Sequence, residues 1–266
     1  MTFDGVYVPM ITPFDDAGAV QPEVLRRLAH EVLDGGARGL VALGTTGGPS
    51  SLSAAERAGV LDVLTRVCRD RDAPLIVGAG EAVPGSAAVL SVVPPFVRPG
   101  EDGVVAYFAQ LAARSPVPVL IYHVPYRTAQ PLSAATVHRL AALPGVTGMK
   151  LAPGGIDAET VALLADPPPG FAILGGDDPY LPAMLALGAA GGIVASAHVE
   201  TAAFVSLADA WARGDVPRAR GLGHRLTRLA LQLFAHPNPV GVKAALHADG
   251  RIPSPHVRLP LLTAAA

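Results

Sequence analysis

Lysine is scarce in this 266-residue chain, which has two lysines and eighteen arginines. Arginine serves nearly every position that needs a cation, so each lysine calls for a specific role. A desolvated lysine loses its proton readily, and the neutral amine then condenses with a carbonyl compound to a Schiff base, which arginine cannot do. Lys150 ends the apolar run 146–150, where a buried strand would hold the amine out of water. A snorkelling or ion-paired lysine at a strand end is the alternative that this pattern leaves open.

Cysteine, basic clusters and unbroken apolar runs are also scarce, and each absence excludes a class of protein. The single Cys68 excludes an internal disulfide and fits a reducing cytoplasm, and its place on a helical pattern indicates packing. A net charge of −2 without a basic cluster argues against nucleic acid as a partner. Residues 179–199 carry no charged side chain, but prolines and glycines interrupt them, so we expect no membrane span. No signal peptide is recognisable, and the predicted location is cytoplasmic.

Short apolar runs alternate with helical patterns along the chain. Continuous rather than alternating hydrophobicity is typical of parallel strands that are buried on both faces. Eight parallel strands with intervening helices predict an α/β fold, the (β/α)8 TIM barrel, over residues 1–213. The predicted strands are 5–11, 39–44, 75–79, 88–93, 119–122, 146–150, 172–175 and 192–195. The predicted barrel helices are 22–34, 54–71, 103–114, 134–143, 158–165, 181–187 and 201–213.

Two features depart from a plain barrel. A C-terminal helical tail is predicted over residues 214–266, packed on the barrel, with helices at 217–235, 240–247 and 255–262. Between the third and fourth strands lie only residues 80–87, which are too few for a helical crossover. We therefore predict that the third barrel helix is missing. An apolar flank of strands three and four would then be exposed or covered by another subunit.

The carboxyl ends of the strands carry the chemistry in such barrels. Strand two is followed by Gly44-Thr45-Thr46-Gly47-Gly48. The hydroxyls of this segment, and a glycine backbone that a ligand can approach closely, suit the binding of a carboxylate, although an ordinary glycine-rich turn would have the same sequence pattern. Strand five ends at Tyr122, a phenol for proton transfer, and is followed by Arg127, a guanidinium for a carboxylate. His123 is a possible base, although a buried structural histidine fits the pattern better.

Strand seven is followed by Asp177 and Asp178. Paired aspartates could hold Mg²⁺, but no third ligand is near in sequence, so capping of the following helix is the preferred interpretation. The sequence predicts no metal and no cofactor. A lysine, a tyrosine and a hydroxyl-rich turn at one barrel mouth are the parts that a Schiff-base aldolase needs, since the imine serves as an electron sink.

The same residues carry a resemblance to a known family. In order, the chain has Gly-Thr-Thr-Gly, Tyr-x-Val-Pro-x-Arg-Thr, Gly-x-Lys, Gly-Gly-Asp-Asp, Gly-Ile-Val-Ala-Ser and Asn-Pro-x-x-Val-Lys-Ala-Ala-Leu. This order resembles the dihydrodipicolinate synthase / N-acetylneuraminate lyase family of class I, pyruvate-type aldolases. A single motif of this length is weak evidence, but six in this order are strong evidence. The resemblance covers nearly the whole chain, from residues 5–14 to residues 258–262.

The resemblance implies a role for each matching residue. Lys150 is the Schiff-base lysine, and Tyr122 relays protons and orients the imine. Thr45 and Thr46 bind the carboxylate of the 2-oxo acid and pass on the proton. Arg127 holds the carboxylate of a second substrate. The remaining matches are Ile193, whose backbone carbonyl faces the substrate, and Lys243, a structural lysine of the tail. The family also implies homo-oligomers, usually tetramers built from dimers.

Four positions depart from the family pattern. Gly48 replaces a glutamate, His123 replaces an asparagine, and the bulky Tyr126 replaces a glycine and would narrow the mouth. Phe96 replaces the tyrosine that extends the proton relay into the neighbouring subunit in the synthases, and a phenylalanine carries no proton.

We therefore read the chain as a class I lyase or aldolase that acts on pyruvate or a related 2-oxo acid. It would make or break a carbon–carbon bond or dehydrate a keto-deoxy sugar acid. A true 4-hydroxy-tetrahydrodipicolinate synthase and a catalytically silent protein that binds 2-oxo acids are the alternatives. A metal-dependent aldolase that uses Asp177 and Asp178 is the least favoured alternative. The predicted partners are a small-molecule 2-oxo acid and an aldehyde.

Overall fold

A closed barrel of eight parallel strands forms the centre of the molecule. The computed structural model describes residues 3–78 and 82–264. Each strand pairs with the next along the chain, and the eighth pairs with the first. The strands are β1 (Gly5–Pro9), β2 (Gly39–Ala42), β3 (Leu75–Gly78), β4 (Ala88–Val92), β5 (Val119–His123), β6 (Val146–Leu151), β7 (Ala172–Gly175) and β8 (Gly191–Ile193). The predicted (β/α)8 fold is confirmed, with strand bounds that agree to within two residues. Ala79, the predicted end of strand three, lies outside the described residues.

Ten α-helices lie among the described residues. They are α1 (Pro22–Asp34), α2 (Ala54–Asp70), α3 (Gly100–Arg114), α4 (Pro125–Thr128), α5 (Ala134–Ala141), α6 (Ala158–Ala165), α7 (Leu181–Ala186), α8 (Thr201–Ala212), α9 (Val216–Leu233) and α10 (Val240–Ala248). Helix α2 begins with a capping box, because the Ser53 hydroxyl accepts from the Glu56 amide and the Glu56 carboxylate accepts from the Ser53 amide. Within residues 3–78 and 82–264, no helix combines the length and apolar content needed to cross a bilayer.

The apolar side chains form an inner and an outer layer. Alternate strand residues such as Val41, Leu120 and Leu174 fill the barrel interior. The residues between them point outward and pack against the helices, so both faces of each strand are buried. This explains why the strands read as continuous apolar runs.

The connection between β3 and β4 is short, as predicted. Its described part, residues 82–87, contains no helix. The expectation of an exposed flank is wrong, because the outward-facing Val77 and Val89 are both buried. Ala82 and Val83 of the connection pack against the two outer apolar clusters. A short segment that contains a turn at residues 84–85 thus covers part of the flank where a helix would otherwise lie.

The tail contains two of its three predicted helices. The predicted helix at 255–262 is wrong, since this segment has no regular structure. Pro260 interrupts it, and the residue before a proline is disfavoured in the helical conformation. The segment is instead held by Arg258, whose guanidinium makes two bonds to the Glu56 carboxylate, at 2.9 and 2.5 Å.

Candidate active site

Strands β5 and β6 bring the predicted lysine and tyrosine side by side. Tyr122 and Lys150 are partners in the strand register, and both point inward because Ile121 and Met149 pack in the outer layer. The Lys150 Nζ atom lies 4.6 Å from the centre of the Tyr122 ring. Lys150 is 8% exposed, and its amine forms no ion pair or hydrogen bond within the described part of the chain. The ion-paired alternative therefore has no partner among these residues.

Gly176, just after β7, leaves room for the lysine chain. A Cβ at this position would lie 2.7 Å from Lys150 Cγ and 2.8 Å from Lys150 Cε, well inside ordinary contact distance. The Lys150 chain therefore lies directly on the Gly176 backbone, which restricts the path of the amine. The glycine doublet 175–176 is the sequence signal that could have indicated this contact.

One cavity of about 440 Å³ at the barrel mouth gathers several predicted residues. Thr45, Tyr122 and Arg127 all line it. Arg127 forms no ion pair with the described residues, so its charge is available to a carboxylate. Ser91 and Tyr107 also line this cavity, with their hydroxyl oxygens 3.3 Å apart. This pair was not predicted from the sequence, because Tyr107 lies within helix α3 and carries no motif.

Thr46 lies apart from Thr45. It is buried, and its hydroxyl accepts a hydrogen bond from Asn238 Nδ2 at 2.9 Å. It lines a second cavity of about 30 Å³ together with Lys243 and Arg258. The structure thus separates two threonines that the sequence analysis assigned to one role. Asn238 was missed as a site neighbour, although the Asn-Pro motif of the tail was the signal for it.

Lys243 is the other amine that could act as a nucleophile. Burial lowers its pKa to about 7, with the nearby Arg258 acting in the same direction. However, its Nζ atom donates to the His256 carbonyl at 2.8 Å and lies 4.0 Å from the centre of the Phe14 ring. The 30 Å³ cavity beside it holds no more than a water-sized group. The lowered pKa favours Lys243 as a nucleophile, but the small cavity beside it leaves no room for a substrate. The Lys150 amine lies 4.6 Å from the ring of Tyr122, which lines the 440 Å³ cavity, although Lys150 itself is not among the residues that line that cavity.

His123 and Ile193 complete the predicted set. His123 faces away from Tyr122, into a cavity of about 70 Å³ between α5 and α6. Burial lowers the pKa of His123 to about 4, so the ring is neutral at pH 7. Its position on the outer face does not support a role as a base in the mouth. The Ile193 side chain is buried in the barrel interior with Leu174.

The predicted capping role of the aspartate pair is wrong, since neither side chain caps the helical turn that follows. Asp178 accepts from the Ser196 amide at 2.5 Å, and burial raises its pKa to about 6. Asp177 accepts from the Gly154 amide at 2.6 Å and from the Tyr126 hydroxyl at 3.3 Å. Burial also raises the Asp177 pKa. Both carboxylates hold loops together, and no group of three His, Cys, Asp or Glu in the described ranges has a metal-binding arrangement.

Known proteins share this sequence and this architecture. The Dihydrodipicolinate synthetase family matches residues 2–266. The 4-hydroxy-tetrahydrodipicolinate synthase of Neisseria meningitidis serogroup B is 36% identical, covering 97% of this chain and 92% of its own. The crystal structure of the chloride-inhibited dihydrodipicolinate synthase from Acinetobacter baumannii, complexed with pyruvate, has a TM-score of 0.92 at 31% identity, covering 99% of this chain and 94% of its own. A synthase described as the first monomeric variant has a TM-score of 0.91 at 28% identity, covering 99% and 92%.

These matches span nearly the whole of each chain and confirm the resemblance drawn from the six motifs. Members of the family are lyases of the aldolase type. This chain therefore belongs to the dihydrodipicolinate synthetase family and is an aldolase-type lyase.

Proposed function

We propose that Lys150 forms a Schiff base with pyruvate or a related 2-oxo acid, and that this imine makes or breaks a carbon–carbon bond. The environment of the Lys150 amine is the observation that supports the proposal. It is buried, free of ion pairs with the described residues, and 4.6 Å from the Tyr122 ring. The name of the Acinetobacter relative, a synthase complexed with pyruvate, supports the choice of substrate class.

The chemistry follows from these groups. The Lys150 amine attacks C2 of the 2-oxo acid, and loss of water leaves the imine. The protonated imine draws electrons from C3, so a proton leaves C3 and an enamine forms. The enamine carbon then attacks the aldehyde carbon, and water finally releases the product from the lysine. Tyr122 supplies and accepts the protons, while Thr45 and Arg127 at the cavity wall offer partners for carboxylates.

Reductive trapping tests this proposal directly. Pyruvate and borohydride added together should give a stable covalent adduct, which peptide mapping places on Lys150. With only two lysines in the chain, Lys243 is an internal control for non-specific labelling. Lys150→Arg should abolish trapping, because the guanidinium is not a nucleophile, and a cooperative thermal unfolding transition checks that the variant is folded. An adduct on Lys243, or none with any 2-oxo acid, would overturn the proposal.

The relatives named 4-hydroxy-tetrahydrodipicolinate synthase raise the synthase reaction as a second candidate. The family resemblance implies that this reaction condenses pyruvate with aspartate semialdehyde. Phe96 argues against efficient turnover, because its ring has no proton to relay. We expect the wild type to form the imine with pyruvate but to condense it poorly with this aldehyde. Phe96→Tyr should raise the condensation rate. Rapid condensation by the wild type would make the synthase reaction the better assignment.

We also propose a homo-oligomer, a dimer or a tetramer. Phe96 is 90% and Val97 72% exposed on the loop after β4, and large apolar groups in water favour association. The monomeric relative shows that assembly is not universal in the family. Light scattering at several protein concentrations tests this, and a monomer throughout would contradict it.

A cytoplasmic location remains a prediction that rests on the single cysteine.

A further inference from the structure

Lys243 of helix α10 is a buried lysine that the proposed chemistry of Lys150 does not use. Its residue is only 2% exposed, although a lysine is rarely buried without a charged partner. The Nζ atom donates to the His256 carbonyl at 2.8 Å and lies 4.0 Å from the centre of the Phe14 ring. These two contacts occupy two sides of an ammonium group that has three N–H donors. At least one donor is therefore left to bind another group.

Lys243 has no counter-ion within residues 3–78 and 82–264. Arg258 is a second cation beside it, and its Cζ atom lies 4.6 Å from the centre of the same Phe14 ring. The Arg258 guanidinium is paired with the Glu56 carboxylate, so these two charges compensate each other. The Lys243 ammonium group thus carries the uncompensated positive charge of this cluster. A buried charge without a partner is costly, so an anion would be favoured beside it.

The cavity of about 30 Å³ beside Lys243 offers hydrogen-bond donors. Five polar side chains line it, those of Thr12, Thr46, Ser51, Lys243 and Arg258, and no carboxylate of the described residues does. The Thr12 and Ser51 hydroxyls donate to backbone carbonyls of the turn after β2. The Thr46 hydroxyl accepts from Asn238, and its own hydrogen has no acceptor in the described part of the chain. Lys243 and Thr46 are therefore the side chains with a hydrogen to donate into this cavity.

We propose that this cavity binds one small monovalent anion, such as chloride, as the counter-ion of the Lys243 ammonium group. A halide ion accepts hydrogen bonds and donates none, which suits a cavity where the free side-chain groups are donors. A water molecule would bring two hydrogens of its own that need acceptors. The volume admits an ion about as large as a water molecule and excludes a carboxylic acid anion such as pyruvate. The site is thus distinct from the one proposed for the 2-oxo acid.

Anion binding at this site depends on the fold and on pH. Lys243 belongs to the tail, whereas Thr46 follows β2, so only the folded protein assembles the site and the ion stabilises that state. Burial lowers the pKa of Lys243 to about 7, with Arg258 acting in the same direction. Because the ion binds the charged amine, its affinity is highest below pH 7 and falls as the pH rises through that value. The other titratable groups of the cluster are Glu56, which pairs with Arg258, and the His256 ring, whose centre lies 5.9 Å from that of Phe14.

The scarcity of lysine makes a direct test possible. Lysine labelled with ¹³C at Cε gives two NMR signals in this chain, and Lys150→Arg removes one of them and so identifies the signal of Lys243. The midpoint of the Lys243 pH titration in the wild type should lie at higher pH in sodium chloride than in sodium gluconate of equal ionic strength. Gluconate is too large for the cavity, so it controls for screening by salt. Equal midpoints in the two salts would overturn the proposal.

Thermal unfolding in the same two salts measures the binding independently. At pH 6 and a chloride concentration of about ten times Kd, Tm should be about 3–5 °C higher than in gluconate. At pH 9 the affinity should be roughly a hundredfold lower, so this difference should disappear. Lys243→Met keeps an unbranched side chain and removes the charge, so it should abolish the difference at pH 6, whereas Lys150→Arg should retain it. A difference that persists in Lys243→Met, or that is equal at the two pH values, would refute the site. If Lys243→Met does not fold, the two wild-type comparisons decide.

Discussion

Replacement of Gly176 by alanine tests the path of the reactive lysine with one added methyl group. That methyl would lie 2.7 and 2.8 Å from Lys150 Cγ and Cε, and 3.0 Å from Ala152 Cβ. Carbon atoms rest at about 3.5–4.0 Å, so the lysine chain must move by roughly 1 Å. A displacement of this size at a reacting group costs on the order of 10²-fold in rate. We therefore expect trapping of pyruvate by Gly176→Ala to slow by about that factor.

This variant should still fold. Gly176 is not in the left-handed region, so alanine is compatible with its backbone. Overpacking of this kind costs about 1–3 kcal/mol, which corresponds to a fall in Tm of roughly 3–10 °C. Gly155→Ala is the control, because no atom lies within 4 Å of a Cβ at that position, which is also near the mouth. It should trap pyruvate at the wild-type rate. Equal rates for Gly176→Ala and the wild type would refute the proposed contact.

Three further outcomes are expected. Tyr122→Phe keeps the packing and removes the proton donor, so turnover should fall by about 10²–10⁴-fold, and an unchanged rate would assign proton transfer to another group. Burial raises the pKa of Asp178 from 3.8 to about 6, so the folded protein binds a proton on this carboxylate more tightly than the unfolded chain does. The free energy of unfolding should therefore fall by up to about 3 kcal/mol as the pH rises from 4 to 6. Asp178→Asn keeps an acceptor for the Ser196 amide and should remove that fall in thermal unfolding; a pH profile identical to that of the wild type would contradict the shift. Arg258→Met should lower the free energy of unfolding in urea by about 2 kcal/mol, because the half-buried Glu56 loses both charge-assisted bonds. An unchanged urea midpoint would show that the Arg258–Glu56 pair does not contribute to stability.

The barrel could be predicted from sequence because its strands are buried on both faces. Runs such as 172–175 stay apolar from end to end, and the helices between them show a different period. The absence of a crossover helix from residues 82–87, the described part of the β3–β4 connection, was predictable from the length of this segment alone. The cover of the flank was not, because it depends on where Ala82 and Val83 pack, which no local pattern encodes.

The candidate site was predictable where a strand end determines the position of a side chain. Tyr122 and Lys150 lie together because their strands are neighbours with matched register. Contacts between distant segments were not predictable. Asn238 bonds Thr46 across 192 residues, and the Asp178 carboxylate accepts from an amide on the loop after β8 instead of capping its own turn. A local capping pattern gives no information on such long-range partners.

The short connection between β3 and β4 has a consequence for the order of folding. Ile76 pairs with Ala88, only 12 positions later, whereas Leu40 pairs with Leu75, 35 positions later. Since the entropic cost of closing a loop grows with the logarithm of its length, the β3–β4 pair is favoured by roughly 1 kcal/mol over β2–β3. A low sequence separation also speeds the formation of contacts. We expect the amides of these two strands to gain protection first in pulsed hydrogen exchange, so that the rest of the barrel assembles around this pair.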